Sequence, residues 1–137
     1  MIGFYFQTKF TLKSRKKIKN WLYHISTSEN FKIGKLTYVF CDNDFLLQIN
    51  QKYLKHDYYT DVITFDYSNQ KEINGDILIS VEQVTLNSKK YNESKLDELY
   101  RVMAHGLLHL IGYDDKNKKD KKIMNEKESF YLKKIIN

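Results

Sequence analysis

The sequence predicts an α/β fold, a single domain over residues 1–137 with a small mixed sheet of about four strands and about five helices. Three observations carry that expectation. A chain of 137 residues can build one hydrophobic core and is too short for two ordinary domains. Short aromatic and β-branched runs alternate with longer stretches of helical periodicity, beginning β-α-β-α and ending in helices. No Pro- or Ser-rich linker, low-complexity tract or internal repeat divides the chain, and proline is absent.

Each element follows from its pattern. Met1 to Thr8 alternates loosely and is rich in Ile, Phe and Tyr, as an opening strand is. From Leu12 to about Thr27, Ile18, Trp21, Leu22 and Ile25 recur at helical spacing; His24 lies in this helix without a ligand-spaced partner and reads as structural. Leu36 to Cys41 is a second strand, after which Asp42 or Asn43 can cap a helix whose stripe is Leu46, Ile49 and Tyr53. Asp61 to Tyr67 is the third strand, approached by Lys52, Lys55, His56 and Asp57, where loop residues can meet a ligand or simply form a surface turn. Gly75 and Asp76 open a fourth strand, apolar almost throughout, which suits burial on both faces. Ser80 and Gln83 have capping-box spacing and start a helix continued by Val81, Val84 and Tyr91.

Ser94 and Asp97 repeat that start signal. The helix they open has a core stripe of Leu96, Leu99, Tyr100, Met103, Leu107, Leu110 and Ile111, which leaves Glu98, Arg101, His105 and His109 on a different face. Gly106 inside it costs about 1 kcal/mol relative to alanine, so a neighbour such as a strand is expected to approach closely there. A last helix from about Lys118 to Ile136 buries Ile123, Met124, Tyr131 and Ile135.

The helix ending at Gly112 is the candidate metal-binding helix near the C-terminus. Residues four apart share a helix face, so His105 and His109 can aim at one point. Gly112 accepts the backbone that reverses the chain, and the reversal can return Asp114 or Asp115 toward the histidines. Two imidazoles and a carboxylate suit zinc and leave a fourth tetrahedral position open, the mark of a catalytic site. The pair could also be polar residues on a partly exposed face, but two of the chain's four histidines, a chain-reversing glycine and two acids in eleven residues favour metal.

Composition narrows the partners. The single Cys41 allows no intramolecular disulfide and no cysteine zinc cluster. The opening M-I-G-F-Y-F-Q lacks a charged start and a long apolar run, and no segment approaches the roughly 20 apolar residues of a membrane span, so a cytoplasmic protein without membrane partners is expected. The formal charge of +6 is concentrated. Lys9, Lys13, Arg15, Lys16, Lys17 and Lys19 form one run without an acid, and Lys116, Lys118, Lys119, Lys121 and Lys122 form another directly after Asp115. Such runs are often solvated helix faces, yet they are also what polyanion binding needs, and one abuts the candidate metal site.

The motif residues resemble those of the YbeY family, bacterial rRNA maturation factors regarded as single-strand-specific, metal-dependent endoribonucleases. The family pattern H-G-x-L-H-L-x-G-Y-D-H is matched from His105 through Asp114. Asn50 and Tyr53 match N-x-x-Y, Asp57 to Phe65 match D-x-x-T-D-V-x-x-F, Gly75 to Ile79 match G-D-I-x-I, and Met124 with Glu128 match a weaker M-x-x-x-E. The resemblance implies one zinc ion held by His105, His109 and Asp115, with Asp115 standing where the family has a third histidine. It implies single-stranded RNA as substrate, with Lys52, Lys55 and Arg101 as candidate RNA-binding cations. It also implies a role in maturing the 3′ end of small-subunit rRNA and in ribosome quality control, with the ribosome or ribosomal proteins as partners. An anionic third ligand predicts a less acidic bound water than three imidazoles give. Leu54 stands where the family usually carries an arginine, and the neighbouring lysines lack that residue's planar, bidentate phosphate contact. No general base is singled out.

Two other functions share some of these features. H-x-x-x-H-x-x-G-x-x-D also resembles the metzincin peptidases, whose glutamate after the first histidine is replaced here by Gly106. A non-catalytic, zinc-stabilised RNA-binding assembly factor is the other, suggested by Leu54 and Asp115.

Overall fold

The computed structural model describes residues 1–56 and 59–136; Asp57, which the sequence places before the third strand, lies outside them. The elements are β1 (Ile2–Phe6), α1 (Arg15–Ser28), β2 (Lys32–Cys41), α2 (Asn43–Leu54), β3 (Val62–Asp66), β4 (Glu72–Ser80), α3 (Val81–Lys90), α4 (Lys95–Ile111) and α5 (Lys118–Ile135). The four strands form one sheet in the order β1-β2-β4-β3. β1 and β4 run parallel to β2, while β3 runs antiparallel to β4, so the sheet is mixed as expected.

Side-chain alternation divides the core. Ile73, Ile77 and Ile79 of β4 join Leu36, Tyr38 and Phe40 of β2 under α1, α4 and α5. Leu78, Cys41 and Ile63 face the other way, under Leu46 of α2. Consecutive burial of Ile77, Leu78 and Ile79 fits a strand covered on both faces. Polar atoms inside the larger core are satisfied: the Tyr38 hydroxyl donates to the Met103 carbonyl at 2.9 Å, and Trp21 Nε1 donates to the Tyr131 carbonyl at 2.8 Å.

Helix starts lie where capping chemistry puts them. Asp42 accepts from Phe45 N at 2.8 Å, Ser80 from Gln83 N at 3.2 Å, and Ser94 from Asp97 N at 3.0 Å. Strand starts are less local. β2 begins at Lys32 rather than Leu36 and β4 at Glu72 rather than Gly75, because Lys32 and Ile33 pair with Glu72 and Ile73 across the sheet. Four residues expected in buried stripes are instead exposed: Tyr53, Tyr91, Leu96 and Ile123. Tyr53 and Leu96 lie in terminal turns and Tyr91 is a C-cap, beyond the area the sheet covers. Ile123 borders the narrow inner arc of α5, which is Met124, Glu128, Tyr131, Leu132 and Ile135.

The close approach expected at Gly106 is present, and its neighbour is a strand. A Cβ built on Gly106 would meet Ile77 Cγ2 at 2.7 Å, and one on Gly75 would meet the Phe65 carbonyl oxygen at 2.6 Å and Leu110 Cδ1 at 2.9 Å. These two glycines let α4 lie directly on β4. Gly106→Ala is expected to cost about 1 kcal/mol, since overpacking against a buried β-branched residue (~1–3 kcal/mol) outweighs the gain in helix propensity (~1 kcal/mol). Gly75→Ala is expected to cost more, about 3 kcal/mol, because the atom it meets is backbone of the paired strand. Urea unfolding of both variants checks the order.

Candidate metal centre

The site is built on the end of α4. Gly112 has φ 127°, a conformation side chains rarely adopt, and its N–H donates to the carbonyls of Leu108 and His109, both at 3.1 Å, while the Tyr113 N–H donates to Leu108 at 3.0 Å. The reversed chain brings Asp115 over the histidine face. Its Oδ2 lies 3.4 Å from His105 Nε2 and its Oδ1 lies 3.5 Å from His109 Nε2. The two imidazoles stand nearly perpendicular, with ring centroids 4.6 Å apart. One ligand atom from each of the three residues lies within 4.8 Å of the others, so the group could hold a metal ion. Two donors bound at zinc distances to a tetrahedral ion lie about 3.3–3.4 Å apart, which is the spacing of the carboxylate oxygens from the two imidazole nitrogens.

The alternative between the two acids resolves geometrically. Asp114 is exposed and its Oδ1 accepts from the Asp115 N–H at 2.8 Å, so Asp114 shapes the turn while Asp115 faces the histidines. Tyr113 anchors the same turn from below. Its hydroxyl donates to Glu29 Oε1 at 2.5 Å, and Glu29 also accepts from the Tyr131 hydroxyl and from Lys127 Nζ at 3.1 Å. Although burial opposes its charge, these three donors hold the Glu29 carboxyl below the usual glutamate range.

Glu128 is the residue that sequence reasoning placed in a motif without a role. Its buried carboxylate lies 2.6 Å from His105 Nδ1. A carboxylate accepts, so Nδ1 carries the proton and the Nε2 lone pair is turned toward Asp115. Arg101 Nη1 closes the arrangement 3.4 Å from Glu128, with Arg101 Nη2 3.8 Å from Glu93. The available signal was an acid on the buried stripe of α5, four residues after Met124 and three before Tyr131.

A pocket of about 200 Å³ opens beside the centre, lined by Asp61, Glu98, Arg101, Val102, His105, Asp115 and Glu128. Of the three cations expected to meet RNA, only Arg101 borders it, and that guanidinium is held by two acids. Lys52 and Lys55 are exposed at the end of α2, with Lys52 Nζ 5.2 Å from the Tyr53 ring centre. Gly106 points away from the pocket into Ile77, so the helix offers no room there for a peptidase's glutamate.

Acids and imidazole in this wall are strongly biased. Burial works to lower the His105 pKa, but the Glu128 hydrogen bond and the charges of Glu128, Asp115 and Asp61 outweigh it and raise it. Burial raises Asp61. Burial, then the hydrogen bond and charge of Glu93, push Glu98 up to about 7, and its Oε1 has no hydrogen-bond partner. Between pH 4.5 and 7 the unfolded chain therefore releases the Glu98 proton while the folded chain keeps it, and stability falls as pH rises through that window. Glu98→Gln is expected to flatten this slope and to add about 1–3 kcal/mol above pH 7, read from urea unfolding at pH 5 and 8.

Comparison with known proteins gives the family and the fold. A family model described as "Endoribonuclease YbeY" matches residues 5–136. A relative of that description from Karelsulcia muelleri is 46% identical over 132 residues, covering 96% of this chain and 94% of its own. Another from Cytophaga hutchinsonii is 48% identical over 126 residues, covering 91% and 88%. The fold matches the solution structure of a Thermotoga maritima protein with a TM-score of 0.71 at 28% identity, over 98% of this chain and 89% of that one. With the family model matching residues 5–136 and relatives 46% and 48% identical over most of the chain, this protein belongs to the YbeY endoribonuclease family.

Proposed function

We propose that this protein is a zinc-dependent endoribonuclease that cuts single-stranded RNA, holding one zinc ion through His105, His109 and Asp115. Its proposed task is maturation of the 3′ end of small-subunit rRNA and ribosome quality control, in the cytoplasm and in contact with the ribosome or its proteins. The observation that carries the reading is the triangle of donor atoms at 3.4 and 3.5 Å beside an open pocket. Zinc bound there supplies Lewis-acid polarisation at the scissile phosphate.

The chain's own residues do the rest. Glu128 fixes the His105 tautomer, and the Glu29 and Tyr113 hydrogen bond holds the turn that carries Asp115. Arg101 offsets part of the acidic charge in the pocket wall, where Glu93 and Glu128 hold it, while Lys52 and Lys55 offer exposed ammonium groups to the strand as it passes the end of α2. Leu54, exposed between them, contributes no charge, so phosphate contacts at this end are point charges on flexible stems. Among the described residues no helix is long and apolar enough to cross a membrane.

Labelled RNA tests the substrate class. The unpaired strand should be cut and the same strand annealed to its complement spared; equal cutting of both would contradict the single-strand assignment.

A further inference from the structure

We infer that the outward face of α5 is a track for single-stranded RNA leading away from the metal centre, with Lys118, Lys121, Lys122 and Lys133 meeting phosphates and Phe130 stacking on a base. The inference rests on the ribonuclease reading above. All five residues line one open depression of about 650 Å³ on the helix, together with Asn125, Glu126 and Ser129. Their positions recur at intervals of three, four and eight residues, which keeps them on one stripe. The stripe contains a single acid, Glu126.

Three observations separate this face from an ordinary solvated helix surface. First, among the described residues no carboxylate lies within 4 Å of Lys118, Lys121 or Lys122, whereas Lys127, toward the core side, is committed to Glu29 at 3.1 Å. The chain's other basic run is partly engaged internally, with Arg15 over the Phe6 ring at 5.0 Å and Lys19 over the Phe4 ring at 5.6 Å. Second, Phe130 is 54% exposed within the lysine stripe, with Lys134 Nζ 5.2 Å from its ring centre. An exposed aromatic face among cations is what strand-binding proteins present, since every base has a π-face and every linkage a phosphate. Third, the stripe begins three residues beyond Asp115, a residue of the metal centre. The cap of α5 is Asn117, two residues beyond Asp115, and Lys118 is the first residue of the helix. The opposite face of the same helix carries Glu128 against His105, so the track and the centre are held in one rigid element. From Lys118 to Lys133 the helix rises about 22 Å, well beyond the pocket.

An anionic membrane could also attract lysines flanking exposed Phe130 and Ile123. The start of the stripe three residues beyond Asp115 and the single ring inside it favour the RNA strand.

The test uses the zinc-loaded protein, Phe130→Ala and a Lys121→Gln/Lys122→Gln double variant, with fluorescent single-stranded RNAs of about 16 and about 4 nucleotides. All three positions are exposed, so melting temperature and zinc content should match wild type. For the longer RNA, Phe130→Ala should weaken binding about tenfold at unchanged salt dependence. The lysine variant should lower the salt slope by about 1.4, at about 0.7 per released charge. The shorter RNA should be bound and cut equally by all three proteins, and cleavage of the longer one should show a raised KM at constant kcat. If both variants bind and cut the longer RNA as wild type does, the track is wrong while the ribonuclease reading stands. Wild type that neither binds nor cuts either RNA overturns both. Loss of binding to phosphatidylglycerol vesicles with RNA binding intact would make this face a membrane surface and overturn the inference.

Discussion

His109→Ala is expected to abolish stoichiometric zinc binding and to lower RNA cleavage by more than about a hundredfold, with little change in stability. A catalytic zinc site needs three protein donors, and this variant leaves His105 Nε2 and Asp115 alone, 3.4 Å apart. The loss should exceed the tenfold to hundredfold typical of residues that merely orient a ligand. The fold should survive, because the contacts that end α4 use the His109 carbonyl rather than its ring, and alanine is the better helix former. Zinc titration and thermal melting on the same preparation check both halves.

Glu128→Ala should damage stability and metal affinity together. Its buried carboxylate neutralises Arg101 and accepts from His105 Nδ1, so its removal leaves the guanidinium, among the described residues, with Glu93 alone within 4 Å, at 3.8 Å. Breaking a fully buried pair by deleting one partner costs about 3–5 kcal/mol; with Arg101 26% exposed the cost here should be about 1–3 kcal/mol, and Arg101 is already partly orphaned, since its Nε has no partner. With Nδ1 free, His105 can adopt the tautomer that places hydrogen on Nε2, and zinc affinity should fall by about 10–100-fold. Glu128→Gln separates the two effects: it can still accept from Nδ1, so affinity should recover in part while the lost charge still costs stability. Equal zinc affinity in wild type and Glu128→Ala would show that His105 is positioned by something else.

Much of this molecule can be read from local sequence because its signals are local. Asp42, Ser80 and Ser94 announce their helices by side-chain capping, Gly112 announces the end of α4, and the four-residue spacing of His105 and His109 needs only helical geometry. The sheet is different. That β4 pairs with β2 follows from contacts between residues about forty positions apart, such as Phe40 with Ile79, and no local pattern encodes them. The same holds for the polar starts of β2 and β4, each of which becomes a strand only against the other. Within the site, the choice between Asp114 and Asp115 rests on a turn whose direction Gly112 sets and whose depth the Glu29 and Tyr113 hydrogen bond fixes, a contact spanning 84 positions. Arg101 has partners that the helical pattern does not encode. On the helical pattern it is a cation free to meet a strand, and the fold surrounds it with Glu93 and Glu128.

The most direct test of the metal-nuclease account is cleavage of a labelled single-stranded RNA by protein stripped with chelator and then restored with zinc, beside His109→Ala prepared identically. The account predicts that cleavage disappears on chelation, returns with zinc and is absent from the variant. Equal cutting by wild type and variant, or cutting by neither while both bind the RNA, would contradict it and leave a zinc-stabilised RNA-binding assembly factor in its place.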